Sequence, residues 1–197
     1  MTACYNPNMT AAQQIPLVSV DEYLAAELDG DTRHEYVGGY VHAMAGAKTV
    51  HNRVAANFLV SLGAQLRGKP CEPFNSDMKV RVQREGYTSF YYPDGMVVCE
   101  PNGPEDTFQD RPVVVAEVLS ESTRRTDHLE KRDAYLTIPS LAVYLLIETA
   151  KPEVIAYRRG AEGFQSELYR GLDAVVPLEE ADVELPLAEL YERVKFG

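Results

Sequence analysis

The run Val113-Val114-Val115-Ala116-Glu117-Val118-Leu119 constrains this chain more than any other stretch. A strand that is apolar on both faces must be covered on both faces, which places it inside a sheet. Yet a carboxylate stands in its middle. A lone buried charge is costly, so Glu117 requires a partner, a metal or a function.

The remaining elements are read around that strand. Residues 1–16 are small, polar and without periodicity, as expected of a disordered arm. Ser19 and Glu22 fit the two ends of a capping box, opening a helix that Gly30 stops. His34–Val37 and Tyr40–Met44 flank Gly38-Gly39 and predict a tight hairpin. Val50, Val54, Phe58, Leu62 and Leu66 recur every four residues, the stripe of an amphipathic helix of about five turns ending near Gly68. Met78, Val80 and Val82 alternate with polar residues, predicting a strand whose Asp77, Lys79 and Arg81 face either lines a cleft or, as the better reading, is solvated. Tyr87–Cys99 reads as one further strand, a helix is expected over about 126–136, and Ala142–Ile147 is another continuously apolar strand. Segments around Gly160 and Gly163 form a second hairpin, and Leu187–Val194 a last helix. The expectation is a single α/β domain over 17–197, a mixed sheet with αβββαβ order flanked by helices and extended by edge hairpins.

Composition limits the function classes. No apolar run approaches membrane-spanning length and no basic-then-apolar leader opens the chain, so the expectation is a cytoplasmic protein without a membrane role. Cys4, Cys71 and Cys99 are odd in number and widely spaced, which argues against a disulfide framework and against a zinc ribbon. The net charge of −11 disfavours a broad nucleic-acid-binding surface, which would need Lys and Arg. Nine acids against three bases lie beyond residue 160, however, whereas 123–132 is locally basic. A basic cleft remains compatible with this distribution. P-loop, dinucleotide and nucleophile-elbow patterns are absent.

Asp94, at the end of Tyr91-Tyr92-Pro93-Asp94, and Glu117 form the candidate pair. A hard cation such as Mg²⁺ takes oxygen ligands and is commonly held by one or two carboxylates plus water. Alternatively, Asp94 is an ordinary turn residue and Glu117 pairs with a buried cation. Lys131 shares a helical face with Asp127 and Tyr135. It either serves a developing phosphate charge or simply pairs with Asp127. Glu35 is a third acid for the same site or a solvated hairpin residue. His51 touches substrate or caps its helix. Arg124 and Arg125 are candidates for backbone phosphates.

The ordered set Arg33-His-Glu35-Tyr-Val-Gly-Gly, His51, Tyr92-Pro93-Asp94, Val115-Ala-Glu117-Val-Leu-Ser120 and Asp127-x-x-x-Lys131-x-x-x-Tyr135 resembles the Uma family of restriction endonucleases. It spans about Val18 to Val194. The resemblance implies the PD-(D/E)xK nuclease-like superfamily and its restriction-endonuclease-like core. It implies Mg²⁺, replaceable by Mn²⁺, on Asp94, Glu117 and the carbonyl of Val118, a DNA substrate, and a homodimer. The superfamily's usual lysine position is Leu119 here, and in this family the lysine's place falls to Lys131. Ser-Glu121-Ser-Thr stands where the family reads Ser-Pro-Ser-Thr, and Val143-Tyr144-Leu145 where an acid, an aromatic and Trp are common. The alternative, from a different class, is a catalytically silent nuclease-fold module that binds or serves as a subunit.

Overall fold

Ser19 starts the first helix as its neighbours dictate. Its hydroxyl accepts from the Glu22 amide at 3.3 Å, and the Glu22 carboxylate accepts from the Ser19 amide at 2.9 Å. The computed structural model describes residues 16–44, 46–120 and 127–196, with 127 and 128 described by their backbone. The expected arm over 1–16 lies, but for Pro16, outside the described residues. Helix α1 (Val20–Asp29) is followed by the hairpin β1 (His34–Val37) and β2 (Tyr40–Ala43). Gly38 and Gly39 turn it at φ 55° and 100°, where a Cβ would be strained. Helix α2 (Thr49–Gln65) buries Val54, Phe58 and Leu62 along one stripe.

Two large sheets follow. One is β2-β1-β5-β4-β7, built from the hairpin, β5 (Tyr87–Tyr91), β4 (Lys79–Arg84) and the short β7 (Phe108–Gln109). The other has six strands. Its edge β3 (Glu72–Asn75) pairs with β6 (Gly95–Val98), then β8 (Pro112–Val118), β9 (Val143–Ile147), β10 (Glu153–Gly160) and β11 (Gly163–Arg170). Only β8 and β9 run parallel among these pairs. Between them lie a π-helix at Asp127–Lys131 and helix α3 (Arg132–Tyr135). A small hairpin, β12 (Val175–Leu178) and β13 (Val183–Pro186), and helix α4 (Leu187–Leu190) complete the chain.

The αβββαβ order is present as α2-β3-β6-β8-α3-β9, with two strands different from those expected. Tyr87–Cys99 is not one strand. Pro93 has no amide to donate, and at Tyr92-Pro93-Asp94 the chain leaves the five-stranded sheet and enters the six-stranded one. The strand around Val80 belongs to the five-stranded sheet, and the core position is taken by β3. Pro73 obscures β3 in the sequence, yet an edge strand tolerates it. The polar face expected over Asp77, Lys79 and Arg81 is solvated only in part: Asp77 is exposed, but Lys79 is buried, and Arg81 is held by Asp110 at 2.7 Å and lies over the Phe108 ring.

The cysteine expectation is also corrected. Cys71 and Cys99 form a disulfide, because the antiparallel register that pairs Glu72 with Val98 sets the flanking residues side by side. No helix among the described residues is long and apolar enough to cross a membrane.

The strand read first behaves as its composition demands. Val114, Ala116 and Val118 pack with Phe58 and Leu62 in one core cluster, while Val115 and Leu119 pack with Tyr135 and Leu146 in another. Alternation therefore sends Glu117 to the second face, beneath α3.

Candidate active site

Register brings the two principal acids together. Antiparallel pairing sets Gly95 opposite Ala116, so Asp94 and Glu117, one step further on each strand, arrive at the same point. Asp94 Oδ2 accepts the Val118 amide at 2.7 Å and lies 3.2 Å from His51 Nε2 on the first turn of α2. Gly95 permits the approach of α2: a Cβ there would sit 2.5 Å from the Phe58 ring.

Glu117 is the expected buried carboxylate with partners. Its Oε1 accepts from Lys131 Nζ at 3.2 Å and from the Tyr135 hydroxyl at 2.8 Å. Lys131 and Tyr135, four residues apart, reach it from one face of the turn that joins the π-helix to α3. A π-turn offsets the helical register locally and is frequent at functional sites. Burial first, then the Glu117 charge, pushes the Tyr135 hydroxyl well above its ordinary range, so it stays a donor. Lys131 Nζ also meets Glu35 Oε1 at 2.8 Å, which brings β1 of the other sheet to the site. Glu35 is thus not a solvated hairpin residue.

A second polar cluster lies behind Tyr92. Its hydroxyl donates to Glu27 at 2.7 Å and accepts from Lys79 at 3.3 Å, its amide donates to Glu35 at 3.4 Å, and Glu27 also holds His34 Nδ1 at 2.9 Å. Burial lowers the Lys79 amine below its usual range, opposed by Glu27. Sequence reasoning missed this cluster. The one available signal was Lys79 on a strand whose alternation looked amphipathic.

A cleft of about 1050 Å³ opens onto Glu35, His51, Asp94, Glu117 and Lys131 between α2 and the β1–β2 hairpin. Arg124 and Arg125 lie outside the described residues, as does the Asp127 side chain. Among the described residues no group of three or more His, Cys, Asp or Glu side chains is arranged to hold a metal ion. Asp94 and Glu117, opposite each other in register, are nonetheless oxygen donors of the type a hard cation takes.

Comparison with known proteins gives a consistent picture. The model of the Uma2 family, described as "Putative restriction endonuclease", matches residues 20–190. Two uncharacterized proteins of Synechocystis sp. (strain ATCC 27184 / PCC 6803 / Kazusa) are similar. The protein slr1290 is 34% identical over 150 residues, covering 75% of this chain and 77% of its own length. The protein sll1609 is 34% identical over 135 residues, covering 67% and 75%. A crystal structure from Anabaena variabilis ATCC 29413, titled a "putative nuclease belonging to DUF820", superposes with a TM-score of 0.72 at 18% identity over 90% of this chain and 99% of that one. That likeness shows a shared restriction-endonuclease-like fold.

Proposed function

The chain belongs to the Uma2 family, and on that premise we propose that it is a metal-dependent endonuclease hydrolysing phosphodiester bonds in DNA. Asp94, Glu117 and the Val118 carbonyl would hold Mg²⁺, or Mn²⁺ in its place. A bound cation would supply a water of lowered pKa and offset charge on the phosphate. The chain's own groups do the rest. Tyr135 fixes Glu117 by donating to Oε1, and His51 steadies Asp94 through Oδ2. Lys131, held between Glu35 and Glu117, carries a positive charge at the point where the attacking water is oriented and negative charge develops. Glu35 keeps that ammonium in place from the second sheet.

The observation that carries the reading is the 2.7 Å bond from the Val118 amide to Asp94, which locks one acid beside the backbone of the other. The test is cleavage of supercoiled plasmid and single-stranded circles with Mg²⁺ or Mn²⁺. Wild type should cut at least one of the two substrates, while Asp94→Asn and Glu117→Gln should cut neither yet unfold at the wild-type midpoint. Full cutting by either variant would remove that residue from the mechanism, and no cutting by wild type on either substrate would favour the silent module.

A further inference from the structure

We infer that the cleft accepts one unpaired DNA strand and excludes intact duplex, an inference that rests on the nuclease reading above. Three features of the cleft point this way. The first is depth. The Glu117 side chain is 4% exposed and Asp94 17%, so the proposed reacting centre is recessed. Duplex DNA resists bending over about 50 nm and carries its phosphates on the outside of a stiff rod, so it cannot fold its backbone into a recess. An unpaired strand can.

Charge is the second feature. Among the described lining residues, five carboxylates face three basic side chains, Arg33, Lys48 and Lys131. The whole protein carries −11. Duplex presents one phosphate charge per about 1.7 Å of axis, and a single strand about half that density. With the proposed cation counted, the described lining is close to neutral, so it offers no attraction to offset the repulsion between an acidic protein and the denser charge of a duplex. The third feature is the wall chemistry. Ala55, Ala56 and Leu59 of α2 line the cleft together with Ala43 and Met44 at the end of the hairpin. Apolar walls have no use for a phosphate backbone, but they suit the faces of unstacked bases. Asn52, Asn75 and Ser76, also lining the cleft, offer donors and acceptors to base edges.

The experiment compares three fluorescent DNA substrates with wild-type protein and Mn²⁺: a single-stranded oligonucleotide, the same strand fully paired, and a duplex with a central unpaired stretch. Hydrolysis of bis(p-nitrophenyl) phosphate, a phosphodiester without bases, runs beside them. The single strand should be cut at least about tenfold faster than the duplex, and the third substrate only within its unpaired stretch. Equal or faster cutting of paired DNA would overturn the inference and leave the nuclease reading intact. Hydrolysis of the small phosphodiester without cutting of any strand would overturn it too. Failure on all four substrates would instead count against the nuclease reading itself.

Discussion

The two large sheets bury polar groups in opposite ways. In the six-stranded sheet the central strands β6, β8 and β9 are apolar throughout except for Glu117. The five-stranded sheet buries Lys79, Ser89 and Gln109, and its hairpin supplies Glu35 to the site. The centre of one sheet is a hydrophobic slab whose charged interruption, Glu117, is at the candidate site; its other buried carboxylate, Glu153, starts β10 and is held by Lys151 and Arg170. The other sheet spends its burial on a polar network behind Tyr92, the residue at the crossing between the sheets. The difference teaches that stability and positioning are divided: the slab holds the fold, while the network fixes the Tyr92-Pro93-Asp94 segment that delivers Asp94.

The largest effect should come from cutting into the slab. Leu146→Ala removes a fully buried side chain beneath Tyr135 and is expected to cost about 2–5 kcal/mol in urea unfolding. A loss below 1 kcal/mol, as a rough bound on what a surface change costs, would show that the slab is not the source of stability.

A smaller effect is expected from alkaline pH. The folded-state pKa of Tyr135 is raised, chiefly by burial and then by Glu117, whereas an unfolded tyrosine ionises near about 10. Its contribution is therefore fully present below that value and lost as pH rises toward the folded pKa. Tyr23, Tyr92 and Tyr191 are raised in the same direction, mainly by burial, and share this decline. Thermal unfolding from neutral to strongly alkaline pH should thus show a falling midpoint, with a shallower fall in Tyr135→Phe. An unchanged slope in that variant would show that its hydroxyl ionises freely.

The smallest effect is expected at Lys79. Its burial depresses the amine, so the charge is a burden that Tyr92 and Glu27 only partly offset. Lys79→Met keeps volume and should change stability by less than about 1.5 kcal/mol. If the network positions Asp94, nuclease activity should fall in this variant more than stability does. Equal losses in both would make the cluster structural only.

Much of this arrangement was legible because local rules act alone there. The capping box at Ser19, the Gly38-Gly39 turn, the α2 stripe and the buried strand around Glu117 each follow from spacing. The Asp94–Glu117 meeting was legible as a pair of acids next to apolar strands, and the Lys131–Tyr135 spacing put both on one face. What escaped notice depends on which sheet a strand joins. Nothing local to Val80 or Tyr87 says that these strands leave the core sheet, nor that Lys79 is covered by Tyr92. Cys71 and Cys99 meet only through the register of β3, an edge strand hidden by Pro73. Glu35 likewise reaches Lys131 only because one sheet packs against the other.

The most direct test of the account is a calorimetric titration of Mn²⁺ into wild type, Asp94→Asn and Glu117→Gln, with each variant first shown to unfold at the wild-type midpoint. The account predicts a binding isotherm for wild type that either substitution abolishes. Unaltered Mn²⁺ binding in both variants would contradict the claim that these two carboxylates share a metal.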